Sequence, residues 1–261
     1  TTSRNWEHNF IAYSCDYAAA GLYEAAIGLL KVYRYNNNGP YPMVLYYLGY
    51  CTHKSGENEK ALEYFSEAAS LKTDYCFPNK IEDIDALQTA IILNPADANA
   101  HYYLGNLWYD KRQYEEAITY WEKSIAINSN FPVAYRNLSL AYYNKQNNSA
   151  KALEALEKAF SLDETDGRIL MELDQLYRRL NKPHNQRLNF LEKHIDIVRS
   201  RDDLYLEYIT LYNQLGQYQK AKGLLASYKF HPWEGGEGKV LGQYLICHLE
   251  LAKMAIELHR Y

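Results

Sequence analysis

Cysteine is scarce and scattered. The four residues, Cys15, Cys51, Cys76 and Cys247, never pair at Cys-x-x-Cys spacing. That argues against a disulfide scaffold or a zinc ribbon and predicts reduced thiols, as in the cytoplasm. Glycine and proline are also few, 13 and 7 residues, and most lie between stretches of helical periodicity. A fold of many short strands and tight turns would need more of both, so the expectation is all-α. No apolar run approaches the roughly 20 residues of a membrane span, and no membrane partner is expected. The 28 basic and 32 acidic residues leave a net charge of −4 with no basic stripe, so no nucleic-acid partner is expected. Phenylalanine is rare, 7 residues against 27 tyrosines. Tyrosine suits half-buried helix faces, because its ring packs while its hydroxyl reaches a polar partner.

The motifs of chemistry are missing too. The eight histidines, at 8, 53, 101, 184, 194, 231, 248 and 259, form neither His-x-x-His nor His-Glu-x-x-His, so no metal and no cofactor is expected. No Ser, Cys or Asp sits in a nucleophile motif. The glycines at 235, 236 and 238 before Lys239 do not make a phosphate loop: that motif needs Gly at the position of Trp233 and Ser or Thr at that of Val240. Residues 231–239 do gather His231, Glu234 and Glu237. A helix stop at Pro232 and a glycine turn anchored by Trp233 explain the same residues, and no catalytic residue is assigned. Asn137-Leu138-Ser139 and Asn147-Asn148-Ser149 match glycosylation sequons, a match frequent by chance. The chain is expected not to be an enzyme.

What is present is a repeat. Its clearest copy occupies residues 98–129. Leu104-Gly105 precedes Tyr114-Glu115-Glu116-Ala117 by ten residues, Trp121 follows Ala117 by four, and Ser124 comes three later. Two amphipathic helices joined by a short polar turn account for this spacing. Gly105 and Ala117 would be small where the helices approach, with Tyr103, Trp108, Tyr114 and Trp121 around them. The pattern resembles the tetratricopeptide (TPR) helix-turn-helix of about 34 residues.

The other copies are found by their small residues. Ala61 lies 35 residues after Ala26, Ala152 35 after Ala117, and Ala221 69 after Ala152. Repeats are expected at about 5–38, 42–73, 98–129, 132–164, 167–200 and 202–230. Asn36-Asn37-Asn38-Gly39-Pro40 breaks the chain after the first. The repeat at 167–200 is degenerate: Pro183 replaces the turn aromatic and Arg187 stands where a small residue belongs. Between Ala61 and Ala117 the interval is 56 residues. The surplus, within 74–95, predicts one extra helix over about 80–93 that buries Ile84 and Leu87. Residues 231–239 connect to a last helix over 240–261. The expectation is a single all-α TPR superhelical solenoid domain over 1–261, of about 14 helices, with first helices lining the concave side. The chain begins at Thr1 without Met and is expected to be a piece of a larger protein.

Several stretches carry a more specific resemblance: Cys76-Phe77-Pro78, Phe131-Pro132, Arg136-Asn137-Leu138, residues 141–145, 172–176, 201–205 and 231–239. They resemble the C-terminal TPR region of large bacterial proteins in which a carbohydrate-enzyme-like domain of unknown function precedes the repeats. The resemblance covers most of residues 60–250. It implies a TPR array attached to a carbohydrate-related domain of the same protein, and it supplies no reaction.

Binding residues are sought on the face of each first helix opposite its packing face. That face reads Met43, Tyr46, Tyr50 and His53; Asn99, Tyr102, Asn106 and Tyr109; Val133, Arg136, Leu140 and Tyr143; and Met171, Gln175 and Arg178. Exposed aromatics with Arg mark interaction surfaces. The candidates are Tyr46, Tyr50, Tyr102, Asn106, Tyr109, Arg136 and Tyr143. The expected function is protein–protein interaction, an extended peptide or flexible protein segment lying in the concave groove. The alternative is a structural arm that positions a carbohydrate-active module and has no ligand of its own.

Overall fold

The computed structural model describes residues 6–36 and 41–258. The expected break at 37–40 and the last residues of the expected final helix, 259–261, lie outside them. Among the described residues there are fifteen α-helices and no strand: α1 (Trp6–Ala19), α2 (Tyr23–Asn36), α3 (Pro42–Lys54), α4 (Asn58–Ser70), α5 (Glu82–Leu93), α6 (Ala98–Asp110), α7 (Tyr114–Ile127), α8 (Pro132–Asn144), α9 (Ser149–Leu162), α10 (Gly167–Arg179), α11 (His184–Lys193), the single turn α12 (Ile195–Val198), α13 (Asp202–Gln214), α14 (Tyr218–Ser227) and α15 (Lys239–Leu258). They form two compact units, Thr1–Asn148 and Ser149–Tyr261.

One turn chemistry recurs between the helices of a pair. After α1, α3, α6, α10 and α13 the chain steps into the left-handed region at Gly21, Gly56, Arg112, Asn181 and Gly216. The next amide then donates back five residues: Leu22 to Tyr17, Glu57 to Thr52, Gln113 to Trp108, Lys182 to Tyr177 and Gln217 to Tyr212. These bonds satisfy carbonyls that a helix end leaves open. Helix starts are set by Pro42 and Pro132 in the first turn and by the Asp97 and Asp166 side chains, which cap α6 and α10.

In the first unit, α3–α4 and α6–α7 are the tightest pairs. A Cβ on Gly105 would stand 2.3 Å from the Trp121 ring, and one on Gly49 2.4 Å from the Phe65 ring. The glycine of the motif is therefore a seat for the aromatic of the facing helix. Ala61 and Ala117 are wholly buried, as the spacing predicts. The extra helix exists as α5, packed on α3 and α6. Its buried row is Asp83, Ala86, Leu87 and Ala90. Ile84 is only half-buried, which corrects the expected register. The helix is turned so that Asp83 accepts from the Tyr47 hydroxyl at 2.7 Å and from the amides of Asn79 and Lys80 at 2.9 Å each.

A tie of constant spacing explains part of the tyrosine excess. The hydroxyls of Tyr142 and Tyr177 donate to Glu122 and Glu157, 2.7 Å each, and that of Tyr212 donates to Glu192. Each acceptor precedes its donor by 20 residues. Every tie joins a first helix to the preceding second helix, so phenylalanine would leave the contact unmade.

In the second unit, the degenerate repeat is repaired by charge. Arg187 on α11 is wholly buried. Its Nε and Nη2 donate to the two carboxylate oxygens of Asp174 on α10, at 2.9 and 2.6 Å, and Nη2 reaches Glu207 on α13 at 2.7 Å. The 231–238 segment is a turn: Gly235 and Gly238 have positive φ, and the Trp233 ring lies against Gly236. Asp202 holds it by accepting from the His231 amide and facing the His231 Nδ1, at 3.1 and 3.2 Å. On α15 the Gln243 side chain accepts from Asn213 Nδ2 at 2.9 Å, and Cys247 is buried against Asn213.

Candidate functional site

All seven candidate residues lie in the first unit, on α3, α6 and α8, but they divide by burial. Tyr46 is wholly buried. Its hydroxyl donates to the Asp97 carboxylate at 3.1 and 3.2 Å, and its ring packs near Tyr103 and Phe65. Tyr102 is 6% exposed, with its ring 4.8 Å from that of Phe131. Burial raises its hydroxyl pKa, opposed by hydrogen bonds to Asn106 and Asn137. Neither ring offers contact area to a ligand, which corrects two assignments. The cause is that neighbouring helices, through Asp97 and Phe131, reach over positions that one isolated repeat would leave open.

Asn106 is half-buried, and its side-chain oxygen accepts from Trp121 Nε1 and Asn137 Nδ2, both at 3.0 Å. Both lone pairs of that carbonyl are used, so Asn106 ties α6 to α7 and α8 rather than offering its oxygen to a peptide backbone. The neighbouring positions Asn99 and Met43 are buried as well. Asn99 donates to the Ala69 and Leu71 carbonyls at 3.0 and 2.8 Å.

Tyr50, Tyr109, Arg136 and Tyr143 remain part-exposed. Tyr50 carries the Lys54 ammonium 5.5 Å from its ring centroid. The Tyr109 ring lies 5.1 Å from Tyr114 and 5.4 Å from Trp121, with Lys145 Nζ 6.0 Å away. Lys145 sits closer still over Tyr114, at 4.0 Å. Partial burial raises the Tyr50 and Tyr109 hydroxyls above their ordinary pKa. Leu140 adds an exposed apolar side chain on α8. Two of the part-exposed rings, those of Tyr50 and Tyr109, thus each carry a lysine nearby. Lys54 and Lys145 escaped the sequence-based choice. Lys54 was legible as a Tyr-to-Lys spacing of four on one helix; Lys145 lies just past the end of α8 and was not.

Met171, Gln175 and Arg178, the part of the expected face on α10, line a cavity within the second unit together with Trp233 and Lys239. No group of three or more His, Cys, Asp and Glu among the described residues could hold a metal ion. No described helix is long and apolar enough to cross a membrane.

Family models for the tetratricopeptide repeat match residues 14–75, 98–131 and 133–166. The chain carries tetratricopeptide repeats. The matches fall on α1–α4, α6–α7 and α8–α9, so the TPR assignment rests on helix pairs already evident in the fold. Among solved structures, the chain is similar to MamA from Desulfovibrio magneticus RS-1, with 22% identity over 75% of this chain and 96% of that one and a TM-score of 0.40. It is similar to TTC0263, a thermophilic TPR protein of Thermus thermophilus, with 19% identity over 78% and 98% and a TM-score of 0.41. It is also similar to the C-terminal part of a TPR repeat-containing protein of Cytophaga hutchinsonii, with 16% identity over 83% and 93% and a TM-score of 0.47. The all-α TPR fold is typical of protein-interaction scaffolds.

Proposed function

We propose that this TPR chain is a non-enzymatic scaffold, and that an extended segment of a partner protein lies across the first-helix faces of α3, α6 and α8. The observation that carries this is the part-exposed set Tyr50, Tyr109, Arg136 and Tyr143, repeated on three successive first helices. Part-buried tyrosines are held stiffly by their neighbours and lose little side-chain entropy on contact. Lys54 and Lys145 favour acidic residues at the edges of the bound segment. Two of the four thiols are poor nucleophiles: burial pushes Cys51 up to about 12 and Cys76 up to about 11, so both are protonated at neutral pH. The four cysteines are free, which suits the cytoplasm. Net charge gives no reason to invoke nucleic acid.

One observation favours the second reading, a structural arm beside a carbohydrate-related module. Tyr46, Tyr102 and Asn106 are committed to packing, so the contact area left for a partner is smaller than the sequence promised. A partner captured on the immobilised chain separates the two. Tyr109→Ala combined with Arg136→Ala is expected to weaken a groove-bound partner by roughly tenfold or more. A partner that binds this variant as tightly as the parent is not held by that face. With few cations involved, Arg136 beside Lys54 and Lys145, affinity should fall modestly with salt.

A further inference from the structure

The second unit contains a cavity of about 390 Å³ walled by α10, α13 and α15, with Trp233 of the turn beside it. That volume falls within the range of small-molecule sites. Three of its lining residues are acidic, yet each is already neutralised. Asp174 and Glu207 share Arg187, at 2.6 and 2.7 Å. Asp203 holds Arg201 through two contacts, at 3.1 and 2.7 Å. The cations are less committed. Arg178 reaches Glu207 only at 3.3 Å and is half-exposed. Lys239 opens α15 and makes no ion pair among the described residues. Met171, Leu204, Leu206, Ile246 and the Trp233 indole add apolar side chains to the lining. Gln175 and Gln243 add neutral polar atoms.

We propose that this cavity binds a small organic carboxylate with an apolar body, its charge between Lys239 and Arg178 and its body against Trp233 and Ile246. A cationic ligand would find no free acid, because the carboxylates are occupied by arginines. A purely apolar ligand would make no use of Lys239, an exposed cation of the lining. The cavity shares no residue with the face proposed on α3, α6 and α8, and this proposal stands or falls independently of that one.

The test uses the 261-residue chain and three probes that share one phenylpropyl body: 3-phenylpropionate, its isosteric primary amide and the corresponding amine. Binding is followed by calorimetry and by saturation transfer from protein to probe. The carboxylate is expected to bind, with the amide and amine weaker by roughly tenfold or more, the worth of a charged hydrogen bond. Lys239→Gln, at an exposed helix start, should remove that preference without unfolding the chain. Trp233→Ala should weaken acid and amide alike. Absence of carboxylate binding at millimolar concentration overturns the proposal. So does equal binding of acid and amide, or a Lys239→Gln variant that binds like the parent. A capped Glu-Leu dipeptide that binds through Lys239 while phenylpropionate does not would make the cavity a peptide subsite and also overturn it.

Discussion

Asp174 and Arg187 occupy, two repeat periods on, the positions that Gly105 and Ala117 hold in the third repeat, 69 and 70 residues earlier respectively. Where the third repeat seats two small residues, this one buries a two-point ion pair. The swap keeps α10 and α11 joined, and the reach to Glu207 ties α13 to them. A buried pair of this kind contributes little net stability over a well-packed apolar contact, because desolvation offsets the attraction. Removing one partner is different, since it strands the other charge.

Arg187→Ala is therefore expected to destabilise by ~3–5 kcal/mol. Asp174→Gly together with Arg187→Ala restores the small pair of the third repeat and should recover part of that loss, with Glu207 free to turn to Arg178. Denaturant unfolding of the two single variants and the double gives the coupling between the sites. If the double variant loses the sum of the two single losses, the residues do not act as the substitute for a small pair.

How much of this was legible in the sequence depends on the kind of residue. Ala61, Ala117, Ala152 and Ala221 announced the period, because a close helix contact admits few alternatives, and the 56-residue gap announced α5. The register of α5 was not legible. Ile84 and Leu87 looked equivalent, and the Tyr47 hydroxyl that draws Asp83 inward lies 36 residues away. Arg187 looked like decay for the same reason: its compensation, Asp174, sits on the other helix of the pair. Tyr46 and Tyr102 were misassigned because an outward position on one helix becomes an inward one once a neighbouring repeat covers it.

The seat beneath Trp121 gives a second expectation. Gly105→Ala places a methyl within the van der Waals radius of the indole, and Ala117→Leu forces bulk into a wholly buried site. Each should cost ~1–3 kcal/mol. A calorimetric scan checks this. An unchanged midpoint for Gly105→Ala would mean that Trp121 does not rest on the glycine.

Arg112 holds the left-handed position that Gly21, Gly56 and Gly216 hold elsewhere, with φ of 62°. A side chain there strains the backbone by ~1–2 kcal/mol, and glycine returns some of the relief as extra freedom of the unfolded chain. Arg112→Gly should therefore stabilise the chain by up to about 1 kcal/mol. Chemical denaturation reads this directly; a loss of stability would mean that the Arg112 side chain makes contacts worth more than the strain.

In α5, Leu87 is wholly buried while Ile84 is only partly so. Leu87→Ala should cost ~2–4 kcal/mol, and Ile84→Ala clearly less. Equal losses would restore the register that the apolar spacing first suggested.

Asp97 makes stability depend on pH in an unusual direction. It is buried beneath Tyr46, and that burial pushes its carboxyl up to about 6 from an ordinary 3.8, against the opposing pull of the Ala100 amide and the Tyr46 hydroxyl. Between those two values the folded chain keeps a proton that the unfolded chain has released. The contribution of Asp97 is therefore most favourable below the unfolded value and is lost as pH rises to about 6. Asp97→Asn cannot titrate, yet its amide oxygen can still cap α6 and accept from Tyr46. Its stability relative to the parent should rise between about pH 4 and about pH 7, by at most about 3 kcal/mol. Urea titrations of both chains across that window give the difference, in which the other carboxylates cancel. A difference that stays flat would show that Asp97 is ionised throughout. One that falls with pH would show that the ionised carboxylate, held by Tyr46 and the helix start, is the stabilising form.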